Sequence, residues 1–224
     1  MAAVARDAIP AQERLRITEI FLSLQGEADT VGWPTVFVRL TGCPLRCHYC
    51  DTEYAFYGGL WHSVTDVLGQ VQALGARHVC VTGGEPLAQP NVHRLLSALC
   101  DAGHRVSLET SGALDGSGVD ARVVRVLDVK TPASGESARN FLANFDAPRD
   151  SDLVKFVICD RADYDWARDF VAARNLTERV QVLFSPGHGR VTPRELAEWI
   201  LADRLPVRFQ LQLHKILWDG EAGR

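Results

Sequence analysis

The feature that most limits the fold is a repeating order of short apolar runs and amphipathic stretches. VFVRLTG (36–42), HVCVTGG (78–84), RVSLETSG (105–112), VVRVLDVKT (123–131), LVKFVIC (153–159) and RVQVLFSP (179–186) each read as a strand. Helix patterns fall between them. SVTDVLGQVQAL (63–74) is opened by Ser63, NVHRLLSALCDAG (91–103) has Asn91 as its N-cap and Gly103 as its stop, and another helix lies near 162–174. TPRELAEWILADR (192–204) carries a capping box, Thr192 with Glu195, and Pro193 at its first helical position. The strand runs do not alternate cleanly between polar and apolar residues, which fits strands covered on both faces. Strand–helix order with such strands predicts a parallel α/β sheet. Two further strand-like runs flank the six: RITEIFLSL (16–24) and RFQLQLHKI (208–216).

A complete eightfold β/α barrel typically needs about 250 residues. This chain has 224, so an open or partial barrel is expected. No linker or low-complexity segment interrupts it, which predicts a single domain over 1–224 with residues 1–15 as a loose lead-in. The net charge of −4 argues against a broad nucleic-acid surface. No apolar run reaches the length of a membrane span and no signal segment opens the chain. A cytoplasmic protein with reduced thiols is expected.

In parallel sheets the chemistry gathers at the C-terminal ends of strands. TGC, TGGEP, ETSG, DVKTP and SPGHG each follow a strand here, which puts a site on one rim. Cys43, Cys47 and Cys50 stand as C-x3-C-x2-C in TGCPLRCHYCDT, just past a strand. Three thiolates so close together suit one metal centre. A zinc site completed by His48 or His62 is one reading, since structural zinc takes four ligands. An iron–sulfur cluster with three protein ligands, leaving one iron open, is the other; an interaction module built around zinc would be the corresponding non-enzyme. Cys80, Cys100 and Cys159 lie inside apolar strand or helix patterns and read as core thiols.

C-x3-C-x2-C with Tyr49 before Cys50 resembles the radical S-adenosylmethionine (SAM) superfamily. The resemblance implies an α/β fold, a partial (β6/α-type) TIM-like barrel of parallel strands with outer helices. It also implies a [4Fe–4S] cluster on Cys43, Cys47 and Cys50, whose open iron binds SAM and splits it to a 5′-deoxyadenosyl radical. TGGEP resembles the superfamily segment that binds the SAM amino group, here Gly84 and Glu85. By the same resemblance Glu109, Asp128, Val129, Lys130 and Ser185 line SAM, and Tyr49, Cys50 and Asp51 contact its adenine and ribose.

Within the superfamily, EIFLSLQGEADTVGWPTVFVRLTGC (19–43), CDT (50–52), TGGEP, ETSG and LHKIL (213–217) together resemble the 7-carboxy-7-deazaguanine synthase family. That implies conversion of 6-carboxytetrahydropterin to 7-carboxy-7-deazaguanine with loss of ammonia, in queuosine biosynthesis. Leu24, Gln25 and Gly26 would hold the pterin, Arg39 would pair with its carboxylate, Thr82 would touch it, and Thr52 would help bind Mg²⁺. His188 and His214 are expected to position or support. A homodimer is implied, as is a small reductant such as a flavodoxin. A glycyl-radical-enzyme activase, also a radical SAM protein, is the rival enzyme; it lacks the LQGE segment.

Overall fold

Among the residues described by the computed structural model (8–219, 221 and 223), nine strands form one sheet. In chain order they are β1 (Arg14–Leu24), β2 (Pro34–Leu40), β3 (Leu60–Ser63), β4 (His78–Gly83), β5 (Arg105–Thr110), β6 (Val124–Val129), β7 (Leu153–Ile158), β8 (Gln181–Pro186) and β9 (Arg208–Phe209). The sheet order is β3-β1-β2-β4-β5-β6-β7-β8-β9. From β2 to β9 every neighbouring pair is parallel, whereas β1 runs antiparallel to both β2 and β3. The two edges do not pair, so the barrel is partial, as expected.

The helices are α1 (Val64–Leu74), α2 (Val92–Asp101), α3 (Ala143–Asp146), α4 (Arg161–Arg174), α5 (Pro193–Asp203) and α6 (Leu213–Trp218). Helices α1, α2, α4 and α5 cover the outer face, whereas α6 lies against the cavity. Val36, Val38 and Leu40 of β2 and Val79 and Val81 of β4 pack against α1 and α2 through Val67, Val71, Leu95 and Leu99. Val154, Phe156 and Ile158 of β7 and Phe184 of β8 pack against Tyr164 and Phe170 of α4 and Leu196 of α5. On the other face of β2, β4, β5, β6 and β7, Arg39, Thr82, Glu109, Asp128 and Lys155 face a cavity. The strands do alternate, but their inner face mixes polar and apolar side chains, and that hid the period.

The capping boxes at Ser63–Asp66 and Thr192–Glu195 both form. Several expectations change. Asn91 holds the N-cap position of α2 as expected, but its side chain does not cap the helix; its amide donates to the carbonyls of Ala11 and Arg14, at 2.8 and 2.9 Å. With Ile9 buried and the Arg14 Nε–H donating to its carbonyl, residues 8–15 are fixed to the sheet and are no loose lead-in, while residues 1–7 lie outside the described part. The strand expected over 208–216 stops at Phe209, and 213–218 is α6. The period-two pattern FQLQL resembled a strand. Instead Gln210 turns to clamp Ala28 through both side-chain amide atoms, and the Leu213 N–H donates to Gly26 O at 3.0 Å. The short β3, following Gly58 and Gly59, carried too little pattern to be read.

Candidate active site

A cavity of about 280 Å³ opens on the inner face at the C-terminal ends of the parallel strands. The cysteine loop forms part of its rim. Cys43, Cys47 and Cys50 all line the cavity, half-buried and without disulfides. The TGGEP turn seats this loop by two hydrogen bonds: the Gly84 N–H donates to Leu40 O at 3.1 Å and the Glu85 N–H to Gly42 O at 2.8 Å. A Cβ on Gly84 would lie 2.2 Å from Gly42 O, so the close approach requires glycine. From the other side Ser134 O accepts the His48 N–H at 3.0 Å, and Glu136 accepts the Arg46 N–H at 2.6 Å.

Burial pushes all three thiols up, Cys47 to about 11. Thiols held neutral in this way lose their protons to a bound metal centre. Among the described residues, no three His, Cys, Asp or Glu side chains are gathered to hold a single ion. His48 leans on Gly135, and His62 stands 3.4 Å from Gln70 Nε2. The donors this loop offers the cavity are three thiols, the usual ligand type of an iron–sulfur cluster.

Behind the cysteines, Lys130 Nζ lies 2.8 Å from Asp128 Oδ2 and 6.0 Å from the Tyr49 ring centre. Burial alone would lower the ammonium, but Asp128 reverses this and holds it well above its ordinary value. Asp128 Oδ1 and the Tyr49 hydroxyl are buried with no hydrogen-bond partner. These unmet atoms beside a cation suit a zwitterionic ligand. Three expected contacts fall outside the lining. Val129 points outward and is fully buried in the helix-covered core. Ser185 is fully buried beneath the lining, its hydroxyl unpartnered. Glu85 is fully buried too, and its carboxylate is occupied: it accepts from Leu87 N, Ser111 N, Ser111 Oγ and Thr110 Oγ1, at 2.5–2.9 Å. It ties the TGGEP turn to the end of β5 and has no oxygen to spare for a ligand. That segment meets the cavity through Thr82, Gly83 and Gly84.

Asp51 and Thr52 line the cavity opposite. The Thr52 hydroxyl donates to Asp51 Oδ1 at 2.8 Å, and Lys215 Nζ lies 2.9 Å from Asp51 Oδ2. Although burial opposes ionisation, Lys215 and then Thr52 hold the Asp51 carboxyl far below the carboxylate range. Arg39 projects from β2, its Nε–H donating to Glu19 at 2.7 Å, and the Tyr54 hydroxyl donates to the same Glu19 oxygen at 2.8 Å. The guanidinium is thereby aimed, with its two terminal nitrogens left for the cavity. Thr82 stands 3.4 Å from Glu109, whose carboxyl is raised by burial and then by Glu27.

LQGE reaches the cavity from below. Because β1 is antiparallel, Leu24 pairs with Pro34 at the end of the sheet away from the cysteines. The chain then crosses under the cavity, and Ala28 packs on Val126, Leu153 and Leu183. A Cβ on Gly26 would lie 2.2 Å from His214 Nδ1, so only glycine admits the α6 histidine. Glu27 Oε2 meets Lys155 Nζ at 2.5 Å. Glu27 Oε1 and Gln25 Nε2 are buried and unpartnered. Glu19, Glu27, Tyr54, Lys155 and Lys215 escaped sequence reasoning. The lysine in LVKFVIC, a lone charge in an apolar strand, was the available signal.

Three cysteines on the loop after β2, above a partial parallel barrel, fit one class of enzyme. The Radical SAM superfamily model matches residues 37–200, and the chain belongs to that superfamily, whose members use a [4Fe–4S] cluster and SAM. The chain is 46% identical over 211 residues to the 7-carboxy-7-deazaguanine synthase of Chlorobaculum tepidum, covering 93% of this chain and 96% of that protein. It is 43% identical to that of Koribacter versatilis, over 92% and 98%. It therefore belongs to the 7-carboxy-7-deazaguanine synthase family. The crystal structure of QueE from Escherichia coli shares the fold, with a TM-score of 0.70 at 23% identity over 90% of this chain and 95% of that one. No helix among the described residues is long and apolar enough to cross a membrane.

Proposed function

We infer that the protein is a radical SAM lyase of queuosine biosynthesis that contracts the ring of 6-carboxytetrahydropterin to 7-carboxy-7-deazaguanine, with loss of ammonia. The observation that carries this is the junction of LQGE with LHKIL at Gly26 and His214, on the floor of the cavity whose rim is the cysteine loop. The two segments that set this family apart form one surface facing the cluster ligands.

Cys43, Cys47 and Cys50 would hold the cluster. When bound, cluster and SAM supply a carbon-centred radical for hydrogen abstraction. Lys130 would take the SAM carboxylate, Asp128 Oδ1 the ammonium, and the Tyr49–Asp51 backbone the adenosyl part. Charge-assisted contacts of this kind fix a flexible zwitterion in one pose. Arg39 would clamp the pterin carboxylate, a task suited to a planar fork held from behind by Glu19. Thr52 and Asp51 offer hard oxygen ligands for Mg²⁺ beside that carboxylate. On the floor, Gln25 Nε2 offers a donor and Glu27 Oε1 an acceptor, matching the carbonyl and N–H groups of a 2-aminopyrimidin-4-one edge. The apolar pair Phe21 and Phe37, stacked with centroids 5.1 Å apart, walls the same side and excludes water.

The protein is taken to act in the cytoplasm as a homodimer, with a flavodoxin-like donor supplying the electron. The test is an anaerobic assay of reconstituted protein with SAM, dithionite, Mg²⁺ and 6-carboxytetrahydropterin, with mass detection of product. SAM cleavage without 7-carboxy-7-deazaguanine would overturn the assignment.

A further inference from the structure

Lys155 belongs to none of the motifs, yet it projects from β7 into the cavity with only 9% of its side chain exposed. An ammonium so far from water is costly, and a buried ion pair is often no more stable than apolar side chains in its place. The floor does not depend on it for anchoring. The crossing segment is already held by Gln210 on Ala28 and by the Leu213 N–H on Gly26. The ion pair does fix one thing, the direction of the Glu27 carboxylate: Oε2 is gripped at 2.5 Å and Oε1 is left buried and unpartnered. The Glu27 N–H also donates to Gln25 Oε1 at 3.3 Å, which leaves Gln25 Nε2 unpartnered beside it.

We propose that Lys155 is a positioning residue of the substrate subsite: by gripping Glu27 Oε2 it presents Glu27 Oε1, as an ionised acceptor, to the N–H donors of the pterin's aminopyrimidinone edge. This rests on the synthase reading above. The electrostatics agree with the geometry. Burial pushes the Glu27 carboxyl up, and Lys155 more than offsets it, leaving the group below its ordinary value. The other groups around Glu27 are His214 on α6, Gln212 before it, and Glu109 on β5, with Asp128 on β6 near Lys155. Of these, Glu109 opposes ionisation, while His214 and Gln212 assist it. Without Lys155, burial and Glu109 favour the protonated acid, whose hydroxyl faces N–H donors unproductively.

The test is binding of 6-carboxypterin, an aromatic analogue of the substrate, to anaerobic cluster-loaded protein with SAM present. Native protein, Lys155→Met, Glu27→Gln and the double variant are compared by titration, with iron content per chain checked for each. Lys155→Met is expected to bind about tenfold more weakly and to recover affinity as pH rises from about 5.5 to 7.5, because Glu27 then ionises. Native protein and Glu27→Gln are expected to show no such recovery. In the Glu27→Gln background, adding Lys155→Met should change affinity less than about twofold, since a residue acting only through Glu27 has nothing left to act on. The neutral double variant keeps the comparison available if Lys155→Met alone folds poorly. Native-like binding by Lys155→Met overturns the proposal, as does an equal loss in both backgrounds, which would mean that Lys155 touches the ligand itself. Native protein that cleaves SAM but does not bind the pterin removes the synthase reading, and this role with it.

Discussion

Replacing Glu85 by alanine separates an architectural role from a ligand contact. Four groups donate to its carboxylate: the Leu87 and Ser111 N–H groups and the Thr110 and Ser111 hydroxyls. The hydroxyls can rotate to other acceptors. The two backbone N–H groups cannot, and a buried donor left unpaired costs about 1–3 kcal/mol. Two of them give roughly 2–6 kcal/mol, less what is regained by no longer burying a charge and by any water entering the space. A net loss of about 3 kcal/mol is expected. With a urea m-value near 3 kcal/mol/M, the midpoint should fall by about 1 M. The assay is urea unfolding of protein freed of cluster and SAM, so no ligand contact can contribute. Glu85→Gln, which keeps one acceptor oxygen, should lose less. If the alanine variant unfolds within about 0.5 kcal/mol of native while its SAM affinity collapses, the carboxylate is a ligand contact and the reasoning fails.

Cys47→Ala should lose most of the roughly four irons expected per chain, read by iron and sulfide analysis after anaerobic purification. Gly84→Ala forces a methyl to within 2.2 Å of the Gly42 carbonyl; it should displace the cysteine loop, lower cluster occupancy and destabilise by about 1–3 kcal/mol in thermal unfolding. Arg39→Lys keeps a cation for Glu19 but loses the fork, so kcat/KM should drop about 10- to 100-fold with SAM affinity unchanged. The His214 ring is held below its ordinary value by burial, against the pull of Glu27 and Asp51. Its contribution to stability is therefore complete above the unfolded value near 6.5 and fades as pH falls below it. Melting temperature should decline less steeply from about pH 7 to 5.5 in His214→Gln than in the native chain.

The parallel strands, their helices and the cysteine loop were legible because each is a local pattern: an apolar run, a capping residue, a fixed spacing. Roles that depend on partners distant in sequence were not. TGGEP was readable as a segment, but which of its atoms faces the cavity depends on Thr110 and Ser111 at the end of β5. LQGE was readable as a motif, while its position as a floor follows from β1 being antiparallel, which no local pattern encodes. The helix at Leu213–Trp218 defeated the period-two signal because its placement is set by Gly26 and Ala28. The lone charge in LVKFVIC was visible, but its partner lies 128 residues earlier.

The clamp between Ala28 and Gln210 joins residues 182 positions apart. Closing a flexible loop of that length costs about 4–5 kcal/mol of chain entropy, growing with the logarithm of its length. The cysteine loop and the TGGEP turn that seats it lie within about forty residues of one another and close for about 1 kcal/mol less. During synthesis the rim can form while the segment from 210 onward is still unmade, but the floor cannot, because Gln210, Leu213 and His214 emerge later than the rim. The pocket is therefore finished from the top down: the loop that carries the three cysteines can take shape before the floor beneath it exists.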